Sequence, residues 1–109
     1  MKHIDTMNTM VDLKHGEHIK VTTMIGDVRY GILQGNVKIG SSMRDVIMSI
    51  LSHRLDGPAI VWEDGDYSWY IHGRMHYNFK DFQAAGNISD EDMMVLRLKY
   101  GDMLVLDRG

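Results

Sequence analysis

The hydrophobic period of this chain switches from two residues to helical spacing and back, which constrains the fold more than any single motif. From Glu17 the residues alternate: Ile19, Val21, Thr23 and Ile25 fall on one side, Lys20 and Thr22 on the other. Gly26-Asp27 interrupts, and Val28, Tyr30 and Ile32 resume the alternation. That spacing predicts a β-hairpin with Gly26-Asp27 as a two-residue turn. Gln34-Gly35-Asn36 breaks the second strand, and residues 37–39 are expected as a short third. Met43, Val46, Ile47, Ile50 and Leu51 then recur at helical spacing. Ser42 stands as N-cap, with Asp45 three residues on in a carboxylate version of the capping box. After residues 55–58 the two-residue period returns: Ile60 and Trp62 share a face, residues 63–66 turn, and Tyr67, Trp69 and Ile71 alternate. His72-Gly73-Arg74 turns again into residues 75–77. Ser89 with Asp92 caps a second helix that runs to about Lys99 and ends at Gly101. Residues 103–106 are expected as a final strand or buried tail.

These elements predict an α+β fold: antiparallel hairpin and meander strands with two helices packed on one face. At 109 residues one core and one domain are expected. Within it, residues 1–15 show no sustained period and read as a loosely docked arm, residues 17–51 as hairpin plus helix, and residues 56–106 as meander plus helix. The two parts echo each other. Gly26-Asp27, Tyr30 and Ile32 recur in order and spacing as Gly65-Asp66, Trp69 and Ile71. A duplication would make each half a hairpin followed by a helix.

Composition removes several functions. With no cysteine there is no disulfide, Cys-ligated zinc, iron–sulfur cluster or thiol catalysis. A net charge of −3 with scattered Lys and Arg makes nucleic acid an unlikely partner. No apolar run reaches membrane-span length, and the N-terminus lacks a signal-like apolar region, so a cytoplasmic protein without membrane contact is expected. Ten methionines suit either adaptable binding surfaces or a Met-rich core, and the core is the commoner use.

Residues 53–76, HRLDGPAIVWEDGDYSWYIHGRMH, are the least generic stretch. His53, Arg54, Asp56, Gly57, Pro58, Ala59, Gly65, Trp69, Tyr70, Gly73 and His76 match the pattern H-R-x-D-G-P-A, then G, then W-Y-x-x-G-x-x-H. The stretch resembles a phage and bacterial repeat of the wider MORN-like group. The resemblance implies a β-meander and a phage or prophage setting, in which case the location is the host cytoplasm; it carries no known catalytic activity. Arrays of that repeat hold several copies, whereas here residues 77–82, YNFKDF, stand where the next copy would begin. One copy must be completed by the rest of the domain or by another chain, and self-association through its strand edges is an open variant.

A two-residue loop at Gly73-Arg74 would put His72 and His76 on opposite faces; a three-residue loop over 73–75 would pair them. Only the second could begin a metal site, with Asp64 or Asp66 as a further ligand. The structural use has the His53 and His76 ring nitrogens bonding turn backbone. Asp56-Gly57-Pro58 reads as a turn whose Asp caps amides and whose Pro opens an edge strand. Ser68 beside His72 lacks a nucleophile elbow and oxyanion loop, and the glycines of residues 30–40 lack the Lys-Ser/Thr of a phosphate loop. No cofactor is implied.

Seven of the nine aromatic residues lie between Trp62 and Phe82. Alternation points Tyr67 and Trp69 one way and Tyr70 the other, so one helix layer cannot bury them all. Either the cluster is core on both sides or part of it is an exposed patch of the kind that anchors interfaces. The expected function is a small non-enzymatic protein-interaction module, a phage-type accessory protein that binds, and in one version inhibits, a bacterial host or defence protein. Its binding residues are expected to be Trp62, Tyr67, Trp69, Tyr70, Arg74 and His76, with Asp64 and Asp66 at the rim, aided by Glu63. The alternatives are a small-molecule or nucleotide-binding domain around Tyr70 and Arg74, and a metal-dependent enzyme.

Overall fold

A computed structural model describes residues 1–101. Its elements in chain order are β1 (Lys2–Ile4), β2 (His18–Thr22), β3 (Val28–Leu33), α1 (Met43–Ser49), β4 (Ile50–Ser52), β5 (Ile60–Val61), β6 (Tyr67–Ile71), β7 (Arg74–His76), α2 (Phe79–Gly86) and α3 (Asp90–Tyr100). Seven strands form one sheet in the order β1-β2-β3-β5-β6-β7, and β4 pairs with the far end of β3. All pairs are antiparallel except β1 with β2. The α+β class expected from the changes of period is the class observed.

Both predicted hairpins form, with loops one residue longer than expected for the first. Thr22 opposes Val28, and Thr23 N–H donates to the Asp27 carbonyl at 2.8 Å, so the loop is residues 24–26 with Gly26 at φ +99°. In the second hairpin Val61 opposes Tyr67, Trp62 N–H donates to the Asp66 carbonyl at 2.9 Å, and Gly65 sits at φ +91°. These are three-residue hairpins closed by a left-handed glycine, a geometry whose twist suits the flanking strands. The residue after each glycine is therefore a strand end and not part of the turn. Asp27 is buried there, accepting the Glu63 N–H at 2.9 Å.

The echo between the halves thus coincides with two hairpins of one geometry, but burial differs between them. Residues directly opposed across a ladder share a face. Following the pairs Val21–Arg29, Val28–Val61 and Val61–Tyr67 places Tyr67 on the face opposite Val21. One core comprises Ile4, Leu13, Ile19, Val21, Leu33, Val37, Met43 and Val46, and includes α1. The other comprises Trp69, Ile71, Phe79, Phe82, Met93 and Leu96, and includes α2 and α3. The helices accordingly do not form the single layer expected: each end of the sheet buries a different face.

Local signals explain the helix ends. Ser42 and Ser89 accept the N–H of Asp45 and Asp92, as their spacing predicts. Gly101, at φ +77°, ends α3 by donating to the Arg97 carbonyl at 2.9 Å. α1 stops at Ser49, so Ile50 and Leu51 belong to β4 and not to the helix. α2 was not expected, although Asn78 accepts the Asp81 N–H and Asn87 closes the helix at φ +49°. Val37 makes only an isolated bridge with Leu13 in place of the short strand predicted. Residues 103–106 lie outside the described residues.

The N-terminal arm is tied in, not loosely docked. β1 adds a parallel strand on β2, Ile4 and Leu13 enter the first core, and Thr9 exchanges backbone hydrogen bonds with residues 40 and 41. Lys2 Nζ reaches Glu17 Oε2 at 3.0 Å, and this bond, with the Lys14 N–H, holds the Glu17 carboxyl below its usual range. The methionines also depart from expectation. Met43 and Met93 are core, whereas Met1, Met7, Met10, Met24, Met48, Met75 and Met94 are exposed. None of the described helices is long and apolar enough to cross a membrane.

Candidate functional site

Much of the 53–76 stretch serves the fold. Arg54 lies over the Tyr30 ring at 3.9 Å, donates from Nε to Asp56 at 2.9 Å and from Nη1 to the Pro58 carbonyl at 3.2 Å. It lies on the face of the sheet that points away from the first core. A Cβ at Gly57 would stand 2.7 Å from Arg54 Cζ and 2.9 Å from the Tyr100 hydroxyl, so the ends of those side chains would have to shift. Pro58 and Ala59 are buried, and β5, which they lead into, lies between β3 and β6. The expected edge strand is an interior one, and Asp56 receives a guanidinium where an amide was expected.

The turn after β6 has neither loop foreseen from sequence. Ile71 opposes Arg74, leaving His72-Gly73 as a two-residue loop with φ +46° and +81°, the doubly left-handed turn that fits a tight hairpin. His72 stacks on His53 at 4.3 Å, and its N–H donates to His53 Nδ1 at 3.0 Å. His76 instead opposes Trp69, near Phe82 at 6.3 Å, and its Nε2 has no partner among the described residues. So His53 does bond turn backbone, His76 does not, and His72 and His76 form no pair. Among the described residues no group of three His, Cys, Asp or Glu side chains is arranged to hold a metal ion.

Burial, followed by the nearby His72 and His18, lowers the pKa of His53 below its ordinary value. Its neutral ring accepts the turn amide, which the protonated ring cannot do. At pH values below about 6.5 the unfolded chain gains a proton here that the folded chain resists. Stability should therefore be complete above that pH and fall as pH drops through the folded value. Urea midpoints at several pH values, compared between wild type and His53→Asn, check this: asparagine retains an acceptor without the titration, and its midpoint should vary less with pH.

The residues expected to bind a partner separate into two sets. Trp62, Asp64, Asp66, Tyr67, Trp69 and His76 line one groove of about 550 Å³. Tyr70 and Arg74 line neither this groove nor a second one, of about 450 Å³, between residues 55–56, the end of α2 and the length of α3. Trp69 is only 1 % exposed, boxed edge-on by Phe79, Phe82 and Tyr100 at 5.1–5.5 Å, so it is a core residue that forms the groove floor. Tyr67 is half-buried against Tyr100 at 5.4 Å. Trp62 is on the other face, its Nε1 donating to Ser68 Oγ at 2.9 Å and its ring 5.1 Å from Arg29. Asp64 in the loop and Asp66 at the strand end after it are exposed, with Asp64 Oδ1 accepting the Asp66 N–H at 3.0 Å.

The groove also contains residues that sequence reasoning missed. Ile25 and Asp27 come from the other hairpin, and Met75 and Tyr77 from β7 and the residue after it. Ile25 is 66 % and Tyr77 57 % exposed, so both form open apolar lips. The first hairpin contributes because β3 pairs with β5, which brings the two loops together: a Cβ on Gly26 would be 3.7 Å from that of Glu63. The repeated Gly-Asp was the one signal that could have matched the two loops.

No family model, curated protein or solved structure matches this chain.

Proposed function

We infer that this chain is a small, non-enzymatic protein-binding module and that the groove between its two hairpin loops is the contact surface. The observation that carries this is the groove itself, where exposed Ile25, Met75 and Tyr77 surround a packed aromatic floor of Trp69 and Tyr67. Open apolar lips over side chains already held by packing make a binding surface with little ordering cost. Exposed methionines elsewhere add adaptable apolar surface. The carboxylates of Glu63, Asp64 and Asp66 disfavour nucleotide or nucleic-acid phosphates here. The resemblance of residues 53–76 to a phage and bacterial repeat directs the search for the partner to bacterial host proteins, defence proteins among them.

Affinity capture from bacterial lysate tests the reading. Ile25→Ala/Tyr77→Ala removes both lips without touching the core, and Tyr70→Ala/Arg74→Ala tests residues that do not line the groove. One protein should be enriched by wild type, retained by the second variant and reduced at least about tenfold by the first, a loss of about 1.4 kcal/mol. Equal capture by wild type and the Ile25/Tyr77 variant would remove the groove from the function.

A further inference from the structure

We propose that the groove takes an arginine- or lysine-bearing segment of another polypeptide. This rests on the interaction reading above and specifies the chemistry of what is bound. Four carboxylates, those of Asp27, Glu63, Asp64 and Asp66, are among its lining residues, and among the described residues no lysine or arginine lines it. Asp27 already serves the fold, with Arg29 at 3.7 Å and the Glu63 N–H at 2.9 Å. Glu63 and Asp64 stand exposed at the rim. The result is a concave surface of one sign, which draws in a cation and repels an acidic segment.

The ring faces make the preference specific to a side-chain cation. Trp62, Tyr67 and Tyr77 stand beside these carboxylates. A guanidinium stacks on such faces while bonding a carboxylate with its edge, and an ammonium is held by the same two forces less directionally. This surface already shows the contact once, in Arg29 over Trp62 at 5.1 Å.

One observation favours a polypeptide over a free amine. Among the described residues the ladder of β6 with β7 covers only Trp69–Ile71, so Tyr67 and Ser68, which line the groove, lie beyond its last pair. An extended segment has a strand end to run alongside there.

The test titrates the full chain into fluorescein-labelled hexa-arginine, hexa-lysine and hexa-glutamate, read by polarisation at low and moderate salt. Glu63→Gln/Asp64→Asn removes two rim charges, and Asp5→Asn/Glu91→Gln removes two exposed charges outside the groove. Basic peptides should bind, weaken with salt, and lose about tenfold or more in affinity with the rim variant but less than about twofold with the control. Absence of binding, equal losses in both variants, or competition by spermine as effective per charge as hexa-arginine would each overturn the proposal. The capture experiment separates the two levels. If a partner depends on Ile25 and Tyr77 but basic peptides do not bind, the module stands and the cationic segment is wrong. If capture ignores those lips, the interaction reading itself falls.

Discussion

Replacing Trp69 with alanine should cost about 3–5 kcal/mol, the range for deleting a large buried aromatic. A domain's whole stability is about 5–15 kcal/mol, so the variant should be largely unfolded or close to it at physiological temperature. The reason is position. Trp69 is fully enclosed, its ring meets Phe79, Phe82 and Tyr100 edge-on, and it joins β6 to both C-terminal helices. These contacts have the geometry that aromatic quadrupoles favour, and alanine removes all three at once. Tyr77→Ala, at a ring that is mostly exposed, should change stability by about 0.5 kcal/mol or less. Urea unfolding followed by far-UV circular dichroism measures both. A Trp69→Ala midpoint near wild type would mean that the second core does not depend on this ring and that packing around it does not hold the floor of the groove.

Gly31→Ala should be the most damaging of the small substitutions. A Cβ at Gly31 would stand 2.5 Å from the Leu51 carbonyl oxygen and 3.1 Å from its carbon. The obstacle is backbone, so no side-chain rotation relieves it. Gly31 opposes Ser52 in the pairing of β3 with β4, and that short ladder must open or shift. Overpacking of this kind costs about 1–3 kcal/mol, reduced somewhat by the lower entropy of the unfolded alanine chain. Hydrogen exchange should locate the loss: amides of residues 50–52 exchange faster while those of α3 stay protected. Unchanged protection in β4 would show that the backbone accommodates the methyl group without strain.

The groove was only half legible. Trp62, Asp64, Asp66, Tyr67, Trp69 and His76 came from one stretch whose composition stood out, and they do line one surface. Ile25, Asp27 and Tyr77 did not stand out, because nothing local says that two hairpin loops meet. Tyr70 and Arg74 were grouped with the others by proximity in sequence. Strand alternation turns Tyr70 away from Tyr67 and Trp69, and Arg74 lies at the far end of the β6–β7 ladder. The histidines show the same limit. A loop that begins one residue earlier than either expectation made His72 a turn residue stacked on His53 and sent His76 to the Trp69 side.

What the sequence determined by itself was whatever depends on short-range forces. Ser42 and Ser89 cap helices because their hydroxyls reach amides three residues away. Gly101 ends one helix, and the alternating stretches 18–22, 28–33 and 67–71 are strands, because these choices follow from backbone sterics and local burial. Tertiary structure decided the rest. Residues 1–15 carry too little periodicity to declare a strand, and β1 exists only because β2 offers an edge and the first core has room for Ile4 and Leu13. The helices divide between opposite faces because each end of the sheet buries a different set of alternate residues. A pattern of period two says that one face is buried without saying which neighbour covers it.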